Sequence, residues 1–176
     1  MEIKEIEKTE VLKGGEFLVK ETNANDVFIR EEFGEEQMMM LNATEEFSKI
    51  EIKPNIMRFE EKDYALVESL MRKAGQLGLL AVSIPEKYHG LGMGFNTGML
   101  ICEEISSLTG SLATAFGAHT GIGTLPILLY GNEEQKNYYL PKISSGEWIS
   151  CYNLTEPDAG SDANSGKTKA VLSSDG

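Results

Sequence analysis

A chain of 176 residues, 41% hydrophobic and 25% charged, is long enough to form one domain with a sizeable core and reads as globular. Its formal net charge of −12 argues against nucleic acid and anionic membrane as partners, because both select clusters of Lys and Arg that are missing here. Cys102 and Cys151 stand apart with no second pair, the pattern of reduced residues rather than of a disulfide or a metal site.

Glu2, Glu5, Glu7 and Glu10 give the N-terminus neither a secretory apolar core nor the acid-poor, Arg-rich character of a mitochondrial presequence. The longest apolar stretches, residues 77–82 and 125–130, fall short of the roughly 20 residues that cross a bilayer, so no membrane span is expected. A cytoplasmic location follows as the default. Residues 1–33 read as an extension lying across the main body, with short apolar pieces at Val11, Leu12 and residues 17–19 separated by Gly14 and Gly15.

From Gly34 the spacing turns helical. Met40, Ala43, Phe47 and Ile50 share one face, and Pro54 is expected to stop the run. A second helix over residues 64–77 aligns Val67, Leu70, Met71, Ala74 and Leu77, with Asp63 placed to accept from its first N–H groups. The GLGMG stretch after it lacks the third small residue of a dinucleotide loop, since Phe95 or Thr97 stands at that position and Pro85 interrupts the approach. It reads as an irregular connection between helices. A third helix, residues 96–107, turns Ile101, Cys102 and Ile105 inward with Asn96 as its cap.

The fourth helix, residues 111–129, is dense in small residues: Ala113, Ala115, Gly117, Ala118, Gly121 and Gly123, with Gly110 just before it. Each internal Gly costs ~1 kcal/mol relative to Ala, which something must offset. Close packing against another helix would do so, and so would a channel left by the absent side chains. His119 and His89 have no nucleophile or metal partner nearby in sequence, which favours packing or hydrogen bonding over catalysis. Asn132 and Gln135 form a capping box for a further helix that Pro141 is expected to end. Residues 148–154 and 167–172 are rich in strand formers, yet two strands alone are marginal in water, so the sequence reads as unfinished.

Residues 152–162, YNLTEPDAGSD, join a short strand to a forced turn. Pro157 fixes its own φ and extends Glu156, Gly160 permits a left-handed turn, and Thr155 and Ser161 bracket the bend with hydroxyls and backbone donors. An ordinary surface turn has this composition too. The segment resembles the signature of the acyl-CoA dehydrogenase family. The likeness extends through GNEEQKNYYLPKISSGEW, LGLLAVSIPEKYHGLGMGF and GAHTGIGTLPILLYG, in the family's order over most of residues 64–170. The wording is most similar to the long-chain and very-long-chain bacterial branch.

The resemblance implies a mainly α fold: an N-terminal extension (1–33), the family's helical N-terminal domain (34–145) and the opening strands of its middle β-domain (146–176), cut short. It implies FAD held by Tyr152, Asn153, Leu154, Thr155 and Ser161, and acyl-CoA held by Ser161 and by Gly117 and Gly121 on the small-residue helix. In the family a glutamate removes the α proton while the β hydride moves to the flavin. That glutamate lies in a C-terminal domain, so no catalytic residue and no metal ligand is expected in this chain. The implied partners are acyl-CoA, an electron-transferring flavoprotein and further copies of the enzyme in a homo-oligomer. A non-catalytic helical module that binds acyl-CoA or a full-length relative is the alternative.

Overall fold

Seven α-helices run through the residues that the computed structural model describes, Leu12 and 14–174: α1 Glu35–Phe47, α2 Ile56–Glu60, α3 Tyr64–Gln76, α4 Phe95–Leu108, α5 Gly110–Gly117, α6 Leu125–Tyr130 and α7 Glu133–Ser144. The chain divides into two units, one up to Met39 and one from Met40 onward. In the first, three single 3-10 turns are held locally. The Asn23 side chain accepts from the Asn25 N–H at 3.1 Å, the Glu32 carboxylate accepts from the Ile29 N–H at 3.0 Å, and Phe28 meets Phe33 edge to face at 5.0 Å. Val11 lies outside the described residues, while residues 17–19 are exposed.

Beside a smaller group of Ile84, Tyr88 and Leu140, the second unit is built on one main apolar cluster. Ile52, Leu70, Met71, Leu79, Leu80, Ile101, Ile105 and Leu112 are all buried in it, each stabilising the fold by about 1.5–3 kcal/mol on transfer from water. In α3 the Asp63 carboxylate accepts from the Leu66 N–H at 3.0 Å and also pairs with Arg58, and both contacts hold its pKa below the usual carboxylate value. Leu70, Met71 and Ala74 face inward as their spacing predicts. Leu77 does not: it caps the helix and stands 48% exposed, and the inward position goes to Leu66.

The end of α1 departs from the expected stripe because the helix widens. Residues Ser48–Ile52 form a π turn, whose extra residue rotates the face by one position, so Ile52 is fully buried and Ile50 is 58% exposed. Pro54 does not stop the chain's helical course. It occupies the first turn of the 3-10 segment Lys53–Asn55, where a missing N–H costs nothing, and α2 follows directly. Gly94 precedes α4 where Asn96 was expected as cap, and Cys102 is only partly buried.

Asn132 and Gln135 form the expected capping box on α7, with reciprocal bonds of 2.8 and 2.9 Å. Pro141 sits inside that helix rather than ending it. A proline in a helix interior costs about 3 kcal/mol, and the burial of Leu140 and Ile143 on either side opposes that cost.

Among the described residues there is no β-strand. Residues 148–154 and 167–172, expected as strands, have no ladder partner, and a strand needs a neighbour to satisfy its backbone. The expectation that no segment is long and apolar enough to cross a bilayer also changes. The helical run Gly110–Tyr130 reaches 21 residues with a mean hydropathy of 1.4, enough by length and composition, because its Gly, Ala and Thr residues link the strictly apolar pieces without adding a charge.

Candidate functional site

The small-residue run is not one uniform α-helix. Between α5 and α6 the segment Ala118–Gly123 forms a second π turn. The glycines along it have different surroundings. A Cβ added at Gly117 or Gly121 would meet no atom within 4 Å, whereas one at Gly123 would lie 2.5 Å from the Ser150 Oγ. Both explanations for the small residues therefore operate in one run: open space at Gly117 and Gly121, and close approach of a neighbouring segment at Gly123.

The open space is a cavity of about 390 Å³. Its walls come from residues 79, 80 and 82–84, from α4 through Met99 and Cys102, from α5 through Phe116 and Gly117, and from the π turn through Gly121. Two wall hydroxyls are turned back into the protein: Thr120 donates to the Phe116 carbonyl at 2.9 Å and Thr124 to the His119 carbonyl at 2.6 Å. No Asp, Glu, His, Lys or Arg lines it. Such a cavity can hold an aliphatic chain by burial, and it offers no acid or base for proton transfer.

The glycine-rich connection supports this wall and leaves no phosphate cradle. The Leu91, Gly92 and Met93 N–H groups donate to Ala81, Ile84 and Val82 carbonyls at 3.0, 2.8 and 2.8 Å, so the amides that a phosphate would need are already used. Gly90 permits the approach, since a Cβ there would stand 1.8 Å from the Ile84 carbonyl oxygen.

Behind the cavity wall His119 is fully buried and joined to two other segments. Its Nε2 lies 3.1 Å from the Ile143 carbonyl at the end of α7, and its Nδ1 lies 3.1 Å from the Ser150 N–H. A carbonyl can only accept and an amide N–H can only donate, so the ring is neutral with its proton on Nε2. Burial pushes its pKa below the ordinary histidine value, and the bond to Ile143 opposes that only in part. The Ser150 Oγ in turn donates to the His119 carbonyl at 3.0 Å. Hydrogen bonding between segments is thus what the ring does here. Sequence reasoning missed its pairing with Ser150, because 31 positions separate the two and no local pattern marks the contact.

The remaining sequence-predicted residues lie away from the cavity lining. Tyr152 and Leu154 are 52% and 46% exposed, and Asn153, Thr155 and Ser161 are exposed as well. Among the described residues, no hydrogen bond engages the backbone of residues 152–155. Glu156 closes the turn that follows. Its backbone bridges to Ala159, and its carboxylate accepts from the N–H groups of Lys167 and Thr168 at 2.6 and 3.2 Å, which lowers its pKa. Asp158 pairs with Lys167 at 3.1 Å on the surface. No group of His, Cys, Asp and Glu among the described residues could hold a metal ion.

The model of the acyl-CoA dehydrogenase N-terminal domain matches residues 34–147. A probable acyl-CoA dehydrogenase of Bacillus subtilis (strain 168) is 42% identical over 95% of this chain, which spans 28% of that protein's length. The mitochondrial isovaleryl-CoA dehydrogenase of Bos taurus is 34% identical over 80% of the chain and is covered to 33%. Among solved structures, an acyl-CoA dehydrogenase from Bacillus anthracis complexed with FAD superposes with a TM-score of 0.85 at 43% identity, covering 94% of this chain and 28% of that one. The cavity, the helix order and these likenesses agree: the chain belongs to the acyl-CoA dehydrogenase family and carries its N-terminal helical domain.

Proposed function

We propose that this chain supplies the acyl-binding, N-terminal part of a flavin-dependent acyl-CoA dehydrogenase that converts medium to very long acyl-CoA to the trans-2-enoyl-CoA in fatty acid β-oxidation. The observation that carries this reading is the uncharged cavity left open by Gly117 and Gly121. Each methylene moved from water into such a space contributes about 0.8 kcal/mol. Ser161, exposed on the signature turn, would contact the thioester's polar arm as well as the cofactor.

The signature segment fits a flavin by the chemistry of its donors. Backbone N–H and C=O groups of residues 152–155 have no partner among the described residues, and a flavin edge presents alternating acceptors and donors that pair with such a row. Tyr152, Asn153, Leu154, Thr155 and Ser161 would hold FAD, which when bound supplies the hydride acceptor. The domain's own contribution is binding and orientation, because no acidic side chain lines the cavity. The same reading assigns residues 146–176 to the start of a β-domain and gives the enzyme a cytoplasmic location, an electron-transferring flavoprotein as acceptor and a homo-oligomeric assembly.

Calorimetric titration tests the carrying observation. Octanoyl-CoA should bind this chain more tightly than CoA does, and Gly117→Leu or Gly121→Leu should remove the advantage of longer chains before that of shorter ones. Equal binding of CoA and octanoyl-CoA would remove the basis of the proposal. A second reading, a non-catalytic module that only holds acyl-CoA, draws on the same absence of acid or base in the lining. Dye reduction by the native gene product with octanoyl-CoA and palmitoyl-CoA separates the two. Turnover by residues 1–176 alone would overturn the division of roles proposed here.

A further inference from the structure

We propose that His119 is a positioning residue for the run at residues 152–155, holding Ser150 in fixed register with the turn that lines the cavity. The inference rests on the flavin reading above for its functional consequence, while its structural part stands on the hydrogen bonds alone. Four contacts converge on Ser150, one of them the 3.3 Å approach of its Oγ to the His119 Nδ1. Its N–H donates to the His119 Nδ1 at 3.1 Å, its Oγ donates to the His119 carbonyl at 3.0 Å, and its Oγ also lies 3.3 Å from the Thr124 Oγ1. Gly123 lets the two backbones close on each other, because any Cβ there would occupy the place of the Ser150 side chain.

The ring is itself anchored from its far side, where Nε2–H donates to Ile143 at the buried end of α7. Ser150 is therefore tied through one buried imidazole to a packed helix, only two residues before Tyr152, where backbone hydrogen bonding within the described chain lapses until Glu156. Thr120, Gly121 and Thr124, neighbours of His119 in the same π turn and at its end, line the cavity. One histidine thus sets the offset between the acyl-binding wall and the cofactor-binding run. A shift of one would carry the other with it.

Two isosteric halves of the ring separate this role from simple core filling. In His119→Asn the side-chain oxygen takes the place of Nδ1 and keeps the Ser150 bond while losing the one to Ile143; in His119→Gln the amide reaches Ile143 and leaves Ser150 without its acceptor. Amide exchange at Ser150, read by NMR on this chain, should be about tenfold faster in the Gln variant and near wild type in the Asn variant, the factor expected for one lost hydrogen bond. Backbone order at residues 152–154 should fall with it. In the native gene product, FAD affinity should drop in the same order, with Asn the milder change.

Equal exchange in both variants, or equal FAD affinity in wild type and both variants, would overturn the proposal. The wild-type imidazole nitrogen signals give a check that needs no variant to fold: a proton found on Nδ1 rather than Nε2 rules the contact out. If the wild type binds no FAD, the flavin reading fails, and exchange at Ser150 with backbone order at 152–154 still decides whether His119 positions the segment.

Discussion

The wall around Gly121 and the run at residues 152–155 make up the two halves of the candidate site, and they are held by opposite means. The wall rests on Phe116, Leu112 and Ile101, all buried, and the hydroxyls of Thr120 and Thr124 are satisfied by carbonyls of the same helical run. The run is exposed, without internal backbone bonds among the described residues, and it is reached from the core through Ser150. An apolar pocket can be built by the segment that folds around it, since burial needs only neighbours. A row of backbone donors is different, because it can bind a ligand only if the chain itself leaves it unpaired.

The comparison can be broken where backbones touch. Gly75→Ala should have the largest effect: the added Cβ would stand 2.2 Å from the Ser145 carbonyl oxygen, and rigid backbone on both sides leaves little room to relax. Chemical denaturation should show a loss of about 1–3 kcal/mol or more, the usual range for overpacking. An unchanged midpoint would mean that α3 and the end of α7 are not so close.

Acid should weaken the anchor between the two halves. The His119 pKa lies below its ordinary value of 6.5 because the ring is buried, and none of its hydrogen-bond partners, the Ile143 carbonyl and the Ser150 N–H and hydroxyl, is charged. As pH falls through 6.5 the unfolded chain takes up the proton first, so stability present in full above that pH is lost on the way down to the folded-state value. Denaturation at pH 7.5 and 5.5 should show a larger loss in wild type than in His119→Asn. Parallel curves would show that the folded ring takes up its proton as readily as the unfolded one.

Gly117→Ala sharpens the contrast with Gly75. No atom lies within 4 Å of the new methyl, so only helix propensity changes, and stability should rise by up to about 1 kcal/mol. The smallest effect is expected in the exposed run. Thr155→Ala and Ser161→Ala should leave stability within about 0.5 kcal/mol, the norm for surface substitutions, while weakening retention of FAD in the native gene product. Loss of fold in either variant would show that the run is part of the packed structure after all.

The periodicity of residues 64–77, the cap at Asp63 and the capping box at Asn132 and Gln135 were legible in the sequence, because helix ends and faces are written in residues three or four apart. Composition said only that the run of small residues must be offset by contact or by space; Gly117 and Gly121 were singled out through the family resemblance. Family likeness in the YNLTEPDAGSD segment marked the cofactor candidates, although nothing local shows what their backbone would meet.

Tertiary structure alone decided the rest. The π turns at 48–52 and 118–123 rotate the inward faces by a residue, which no stripe drawn at a fixed helical period can foresee. Pro141 stays inside a helix because Leu140 and Ile143 are buried around it. Whether a glycine marks open space or close approach depends on what arrives opposite, as Gly121 and Gly123 show two residues apart. His119 and Ser150 meet across 31 positions for the same reason. Local composition determines which elements form and where they end; the partner each side chain faces is set only when distant segments compete for the same space.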